Sequence, residues 1–98
     1  MSPTYEREST FARDWVKLTR KQRRQFLVAV SEMVADLKGG EGFRPGLRVK
    51  GVQGRRGVFE MTWAPDGRAT WQYGPEQRLG EAHIVWRRIG SHDVLRHP

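Results

Sequence analysis

The sequence predicts an α+β domain, a small antiparallel β-sheet with an N-terminal αα-hairpin packed on one face. Three observations lead there. Phe26, Val30, Met33 and Leu37 recur at helical spacing within the first forty positions. Strict alternation of apolar and polar residues flanks the turn sequence Pro65-Asp66-Gly67. The β-branched and aromatic run Ile84-Val85-Trp86 supplies a last strand. Ninety-eight residues suffice for a single domain, 1–98.

Residues around Thr4 to Glu8 alternate weakly and suit a short edge strand. Ser9 or Thr10 is placed to cap a first helix, on which Phe11, Trp15 and Leu18 share a face. Thr19-Arg20-Lys21-Gln22 has capping-box spacing and opens a longer helix. Leu27 and Val34 widen its apolar stripe, and Gly39-Gly40 ends it. The hairpin over 10–38 is basic on its other side, through Arg13, Lys17, Arg20, Lys21, Arg23 and Arg24. That pattern fits a phosphate-contacting surface or a solubilising helix face.

Positions 39–57 are glycine-rich and read as loop. Within them Leu47-Arg48-Val49-Lys50 alternates, which would put Arg48 and Lys50 on one side. Gly54-Arg55-Arg56-Gly57 adds two cations between glycines. In the hairpin that follows, Gly67 suits the left-handed position of a three-residue loop, with Ala64 opposite Arg68. That register pairs Glu60 with Gln72 and Met61 with Trp71. It gathers Phe59, Met61, Trp63, Ala69, Trp71 and Tyr73 on one face and Val58, Glu60, Thr62, Arg68, Thr70 and Gln72 on the other. The aromatic face needs the helices as cover, so the polar face is expected to stand open with Arg68 on it, and with Glu60 as a general base or, in preference, the ion-pair partner of Arg68. Residues 74–81 read as loop. In the closing strand Arg87 and Arg88 arrive while the strand still runs, Gly90 breaks it, and His92 follows. His83 reads as structural.

The composition limits the partners. A formal charge of +7 points to a nucleic acid or an acidic protein. There is no cysteine, so disulfides and thiolate metal sites are excluded. His83, His92 and His97 lack the spacing of a zinc motif, so no metal and no cofactor is expected. No apolar run approaches the roughly 20 residues of a membrane span, and the N-terminal stretch lacks a signal-peptide core, which makes the cytoplasm the expected location.

In this order of elements, the chain resembles the RelE/ParE superfamily of bacterial toxins. Leu47-Arg48-Val49-Lys50-Gly51 is similar to the family's K-L-x-G connector. The segment from Gly67 to Tyr73 resembles its Arg-bearing strand, and that from Ile84 to His92 its closing strand. The resemblance implies a toxin of a type II toxin–antitoxin pair, neutralised by a cognate antitoxin. In RelE-like members it implies metal-independent cleavage of mRNA on the ribosome. In ParE-like members it implies inhibition of DNA gyrase. A basic RNA-binding module without catalysis is the remaining alternative. Carried over by position, His92, Arg68 and Lys50 are the candidate catalytic residues, and Arg48, Arg55, Arg56, Arg87 and Arg88 the candidate nucleic-acid contacts. Histidine suits proton transfer near neutral pH, and the arginine fork suits a charged phosphorane. The chain departs from the family in a longer Lys50–Arg68 interval and in lacking a tyrosine near its C-terminal end.

Overall fold

The computed structural model describes residues 2–98. Five strands, β1 (Thr4–Arg7), β2 (Lys50–Gly51), β3 (Val58–Thr62), β4 (Gly67–Arg78) and β5 (Glu81–Ser91), form one sheet in the order β1-β5-β4-β3-β2. Helices α1 (Ser9–Val16) and α2 (Arg20–Gly39) follow β1, and 3₁₀ turns occupy Pro45–Leu47 and His92–Arg96. Four strands run antiparallel, while β1 joins β5 in parallel because a helical crossover separates them.

The α2 capping box forms as expected. Gln22 N–H donates to Thr19 Oγ1 at 3.1 Å, and Thr19 N–H donates to Gln22 Oε1 at 2.8 Å. Gly40 ends the helix in the left-handed region (φ 71°). At α1, however, the N-cap is Glu8, with no side-chain cap. Thr10 instead donates to the Arg87 carbonyl at 2.7 Å and ties the helix to β5. Arg23 closes the hairpin by donating to the Trp15 carbonyl and lying 5.5 Å from its ring centre.

The core is the aromatic sheet face against the helices. Phe11, Phe26, Met33, Met61, Trp71, Trp86 and Ile89 are buried together. Trp86 meets the edge of Phe26 at 5.2 Å. A bulge sets Arg88 opposite Thr70 and Trp86 opposite Trp71, leaving Arg87 as the extra residue. That extra residue lets Trp86 and Ile89, three positions apart, both enter the core.

Several expectations are corrected. Thr62 pairs with Arg68 and Phe59 with Trp71, two residues away from the expected register. A shift of two preserves the faces, so the aromatic set still stands together. The loop is longer because Trp63 folds over Gly67, where a Cβ would lie 2.6 Å from the indole. Gly67 is thus required by close approach rather than by a left-handed backbone. Residues 74–81 are not a loop: β4 and β5 continue as a ribbon turning at Leu79 and Gly80. Leu47 to Lys50 does not alternate as a strand. Leu47 is buried in a 3₁₀ turn, Arg48 caps it with φ 49°, and only Lys50–Gly51 pairs with β3.

Nor is the polar face fully open. Val58, Glu60 and Thr70 are buried. The chain returns after β5, with Val94 packed against Gly90 and Arg87 holding the Pro98 main-chain oxygen. Gly90 therefore does not break β5. It lies within the strand and leaves room for the returning turn.

Candidate active site and nucleic-acid surface

Two chain segments meet at one end of the sheet. Asp66 lies in the β3–β4 turn, and Arg68 is the second residue of β4. His92 opens the C-terminal 3₁₀ turn, whose first N–H groups are capped by Ser91 Oγ accepting from Asp93 N–H at 3.3 Å. A Cβ on Gly90 would stand 3.0 Å from Val94, so glycine is what allows the turn to fold this close. The outcome is a 2.9 Å contact between His92 Nδ1 and Asp66 Oδ1.

The pair is exposed, at 64% for His92 and 70% for Asp66. An ionised carboxylate only accepts hydrogen bonds, so Nδ1 is the protonated nitrogen. In the neutral ring Nε2 then carries the free lone pair and points away from Asp66. The His92 hydrogen bond, aided by the nearby Arg68 charge, holds the Asp66 carboxyl below its ordinary value.

Arg68 is fixed by its own turn. Its Nη1 donates to the carbonyls of Gly67 (3.0 Å), Pro65 (3.3 Å) and Ala64 (3.5 Å). Its Nε and Nη2 have no acceptor among the described residues. Those two donors form one edge of the guanidinium, the edge that can grip two phosphate oxygens.

Lys50 belongs to the same sheet face but stands farther off. It pairs with Glu60 on β3, and Lys50 Nζ lies 3.9 Å from Glu60 Oε1. Arg68 is two strands across and two residues along, roughly 10 Å and 7 Å at the backbone. Glu60 is thus the neighbour of Lys50 and not of Arg68, because the actual register sets Arg68 opposite Thr62. The Thr70 hydroxyl beside Glu60 is buried without a partner.

The five candidate nucleic-acid contacts divide into two groups. Arg48, Arg55 and Arg56 are exposed and carry no side-chain bond among the described residues. Arg55 and Arg56 sit in the turn joining β2 and β3, closed by Val52 N–H donating to Val58 O at 2.8 Å. Arg87 and Arg88 are engaged internally. Arg87 donates to Gln72 Oε1 at 2.5 Å and to the Pro98 oxygen. Arg88 donates to both oxygens of Asp14 and to the His97 carbonyl. The closing strand therefore delivers one exposed imidazole, His92, and two arginines that bind its own scaffold.

Asp66 belongs to this candidate site, although in sequence it shows only as a turn former. The available signal was an acid two residues before Arg68. His83 has the structural place expected of it, buried between Thr4 Oγ1 (2.7 Å) and Glu6 Oε1 (2.8 Å), where it fastens β1 to β5. No group of three or more potential metal ligands occurs among the described residues, and no helix among them is long and apolar enough to cross a membrane.

Neither a family model nor a curated protein sequence matches the chain. Solved structures do. A chain of the E. coli DinJ–YafQ toxin–antitoxin complex superposes with a TM-score of 0.66 at 16% identity, over 97% of this chain and 98% of that one. YafQ from E. coli strain BL21(DE3) gives 0.62 at 17%, covering 95% and 97%. A chain of the RelB–RelE antitoxin–toxin complex from Methanococcus jannaschii gives 0.61 at 11%, covering 92% and 93%. The chain thus has the RelE-like α+β fold.

Proposed function

We propose that this protein is the toxin of a toxin–antitoxin pair and cleaves mRNA on the ribosome. The observation that carries the reading is the exposed His92–Asp66 pair beside the free edge of Arg68, on a fold shared with YafQ and RelE. Asp66 keeps the Nδ1 proton in place, so Nε2 of neutral His92 takes the proton of a ribose 2′-hydroxyl. The 2′-oxygen attacks phosphorus and the P–O5′ bond breaks, the departing O5′ taking a proton from water, which leaves a 2′,3′-cyclic phosphate and a 5′-hydroxyl. Arg68 stabilises the charge that builds on the phosphorane oxygens. Lys50 supplies a further ammonium on the same face, for the phosphate or for the departing 5′-oxygen. Arg48, Arg55 and Arg56 extend the cationic surface along the strand. Arg87 and Arg88 enter this reading as supports of the His92 turn rather than as RNA contacts.

The partners follow from the reading. Two of the similar structures are complexes with an antitoxin, which supports a cognate antitoxin here. Ribosome-bound mRNA is the substrate, and the cytoplasm is the compartment it requires. A gyrase-type inhibitor or a passive RNA-binding module would have no use for the His92–Asp66 pair.

The test is induced expression in a bacterial host, with 5′ ends of translated mRNA mapped. Cuts within codons are expected, dependent on translation and lost in His92→Ala and Arg68→Ala at unchanged folding. Growth arrest with intact mRNA and a DNA-damage response would overturn the nuclease reading in favour of gyrase.

A further inference from the structure

The outer face of α2 carries cations without acids. Arg20, Lys21, Arg24 and Lys38 are exposed and form no ion pair among the described residues. The acids of the same helix, Glu32 and Asp36, are both bound to Arg44, and Asp14 of α1 is bound to Arg88. Aliphatic side chains are interleaved with the cations. Leu27 is 57% exposed and Val28 60%, and they follow Arg24 by three and four positions, on its side of the helix. Ser31 lies next along that side and donates its hydroxyl to the Val28 carbonyl at 2.6 Å, so its polar group is satisfied within the helix. Val16, 74% exposed, ends α1 against the first turn of α2, where Arg23 donates to its carbonyl at 3.4 Å.

This mixture suits a lipid surface better than a nucleic acid. A single-stranded RNA is met by cations together with aromatic rings on which bases stack. Here Trp15 is half-buried beneath the Arg23 guanidinium, and the exposed residues between the cations are aliphatic. Cations beside aliphatic groups match the boundary of a bilayer, where phosphates lie above and acyl chains below.

We infer that the outer face of α2 adsorbs on the surface of an anionic lipid bilayer. The helix lies along the bilayer plane. Arg20, Lys21, Arg24 and Lys38 meet the headgroup phosphates, while Leu27 and Val28, with Val16 beside them, reach the acyl boundary. Phe26, Ala29 and Met33 fix the inner side of α2 in the core, so the outer face is presented as a rigid unit. Lys50 and Arg68 belong to the sheet face turned away from the helices, so an adsorbed chain keeps them toward water. The inference is independent of the toxin reading.

The test is flotation of the full chain with vesicles of phosphatidylglycerol and phosphatidylcholine. Binding should rise with the phosphatidylglycerol fraction and fall with salt. Leu27→Gln combined with Val28→Gln leaves the charge unaltered and should weaken binding about tenfold. Arg20→Gln with Arg24→Gln should weaken it about tenfold or more, whereas Arg55→Gln with Arg56→Gln, an equal charge loss elsewhere, should weaken it less than about twofold. The chain has no cysteine, so Val28→Cys accepts a single environment-sensitive fluorophore. Its emission should shift to the blue on these vesicles and stay unshifted on tRNA, a readout that does not depend on the glutamine variants folding. No flotation, no blue shift, or an equal loss from the Arg55 and Arg56 pair would each overturn the inference. Flotation indifferent to Leu27 and Val28, with tRNA binding that needs Arg20 and Arg24, would overturn it in favour of RNA. Failure of the mRNA cleavage assay would leave the vesicle result standing, so the two readings fail separately.

Discussion

Replacing Asp14 by alanine should destabilise the protein by about 2–3 kcal/mol, a figure set between the measured extremes for ion pairs. The Asp14 carboxylate receives Arg88 Nε at 2.6 Å, Arg88 Nη2 at 3.2 Å and the Ile89 N–H at 3.1 Å. The side chains are 11% and 26% exposed. Fully exposed pairs contribute about 0–1 kcal/mol, and breaking a fully buried one costs about 3–5 kcal/mol. This pair lies nearer the buried limit, and the main-chain N–H loses its acceptor as well, which costs about 1–3 kcal/mol where water cannot replace it. The Arg88 bond to the His97 carbonyl survives and limits the loss. For a domain of this size the melting temperature should fall by roughly 10–20 °C. Urea unfolding measures the change. The mechanism is tested by a cycle with Arg88→Met, in which Asp14→Ala should cost far less. A loss below about 1 kcal/mol, or equal losses in both backgrounds, would refute the coupling.

Three further outcomes follow from the site and its support. Gly67→Ala places a Cβ 2.6 Å from the Trp63 ring and should cost about 1–3 kcal/mol in urea unfolding, because both backbone and indole must move. Thr70→Val removes a buried hydroxyl that has no partner and should leave stability unchanged or raise it by about 1 kcal/mol. The carboxyl of Asp66 should titrate below the ordinary aspartate range by NMR and return toward it in His92→Ala, since the His92 hydrogen bond is the main cause of its lowering. The sign of the linkage follows: the lowered group contributes stability above its unfolded value, and that contribution disappears as pH falls through the lowered one. An advantage of wild type over Asp66→Asn that grew on acidification would contradict it.

Local pattern carried most of the fold into view. The capping box at Thr19, the glycine stop at Gly40 and the alternation around residues 58–73 are short-range signals, and each produced the expected element. What escaped depends on distant residues. The register differs by two because Trp63 packs on Gly67, a contact that turn preferences do not encode. The polar face is partly covered because residues after Gly90 fold back, and only Val94 and Pro98 in that tail hinted at it. Asp66 was legible as a turn residue. Its bond to His92 joins segments 26 positions apart, beyond the range of any pattern.

The same distance dependence governs the arginines, and it changes what the net charge means. In sequence nothing separates Arg23, Arg44, Arg87 and Arg88 from the chain's other cations. In the fold each donates to a carbonyl or carboxylate of the chain, at a helix end, at a connector or beneath the C-terminal turn. Arg88 is held by Asp14, 74 positions earlier, so no local reading of the closing strand could separate it from a phosphate ligand. Arg48, Arg55 and Arg56 have no such partner among the described residues, and Arg68 keeps one edge free. Arg48 and Arg68 therefore lie toward the β3–β4 turn with His92, Arg55 and Arg56 lie at the other end of β3, and Arg13, Lys17, Arg20, Lys21 and Arg24 stay exposed on the helices. Arg68 and the imidazole of His92 thus share one end of the sheet, while the arginines of β5 hold that end in shape.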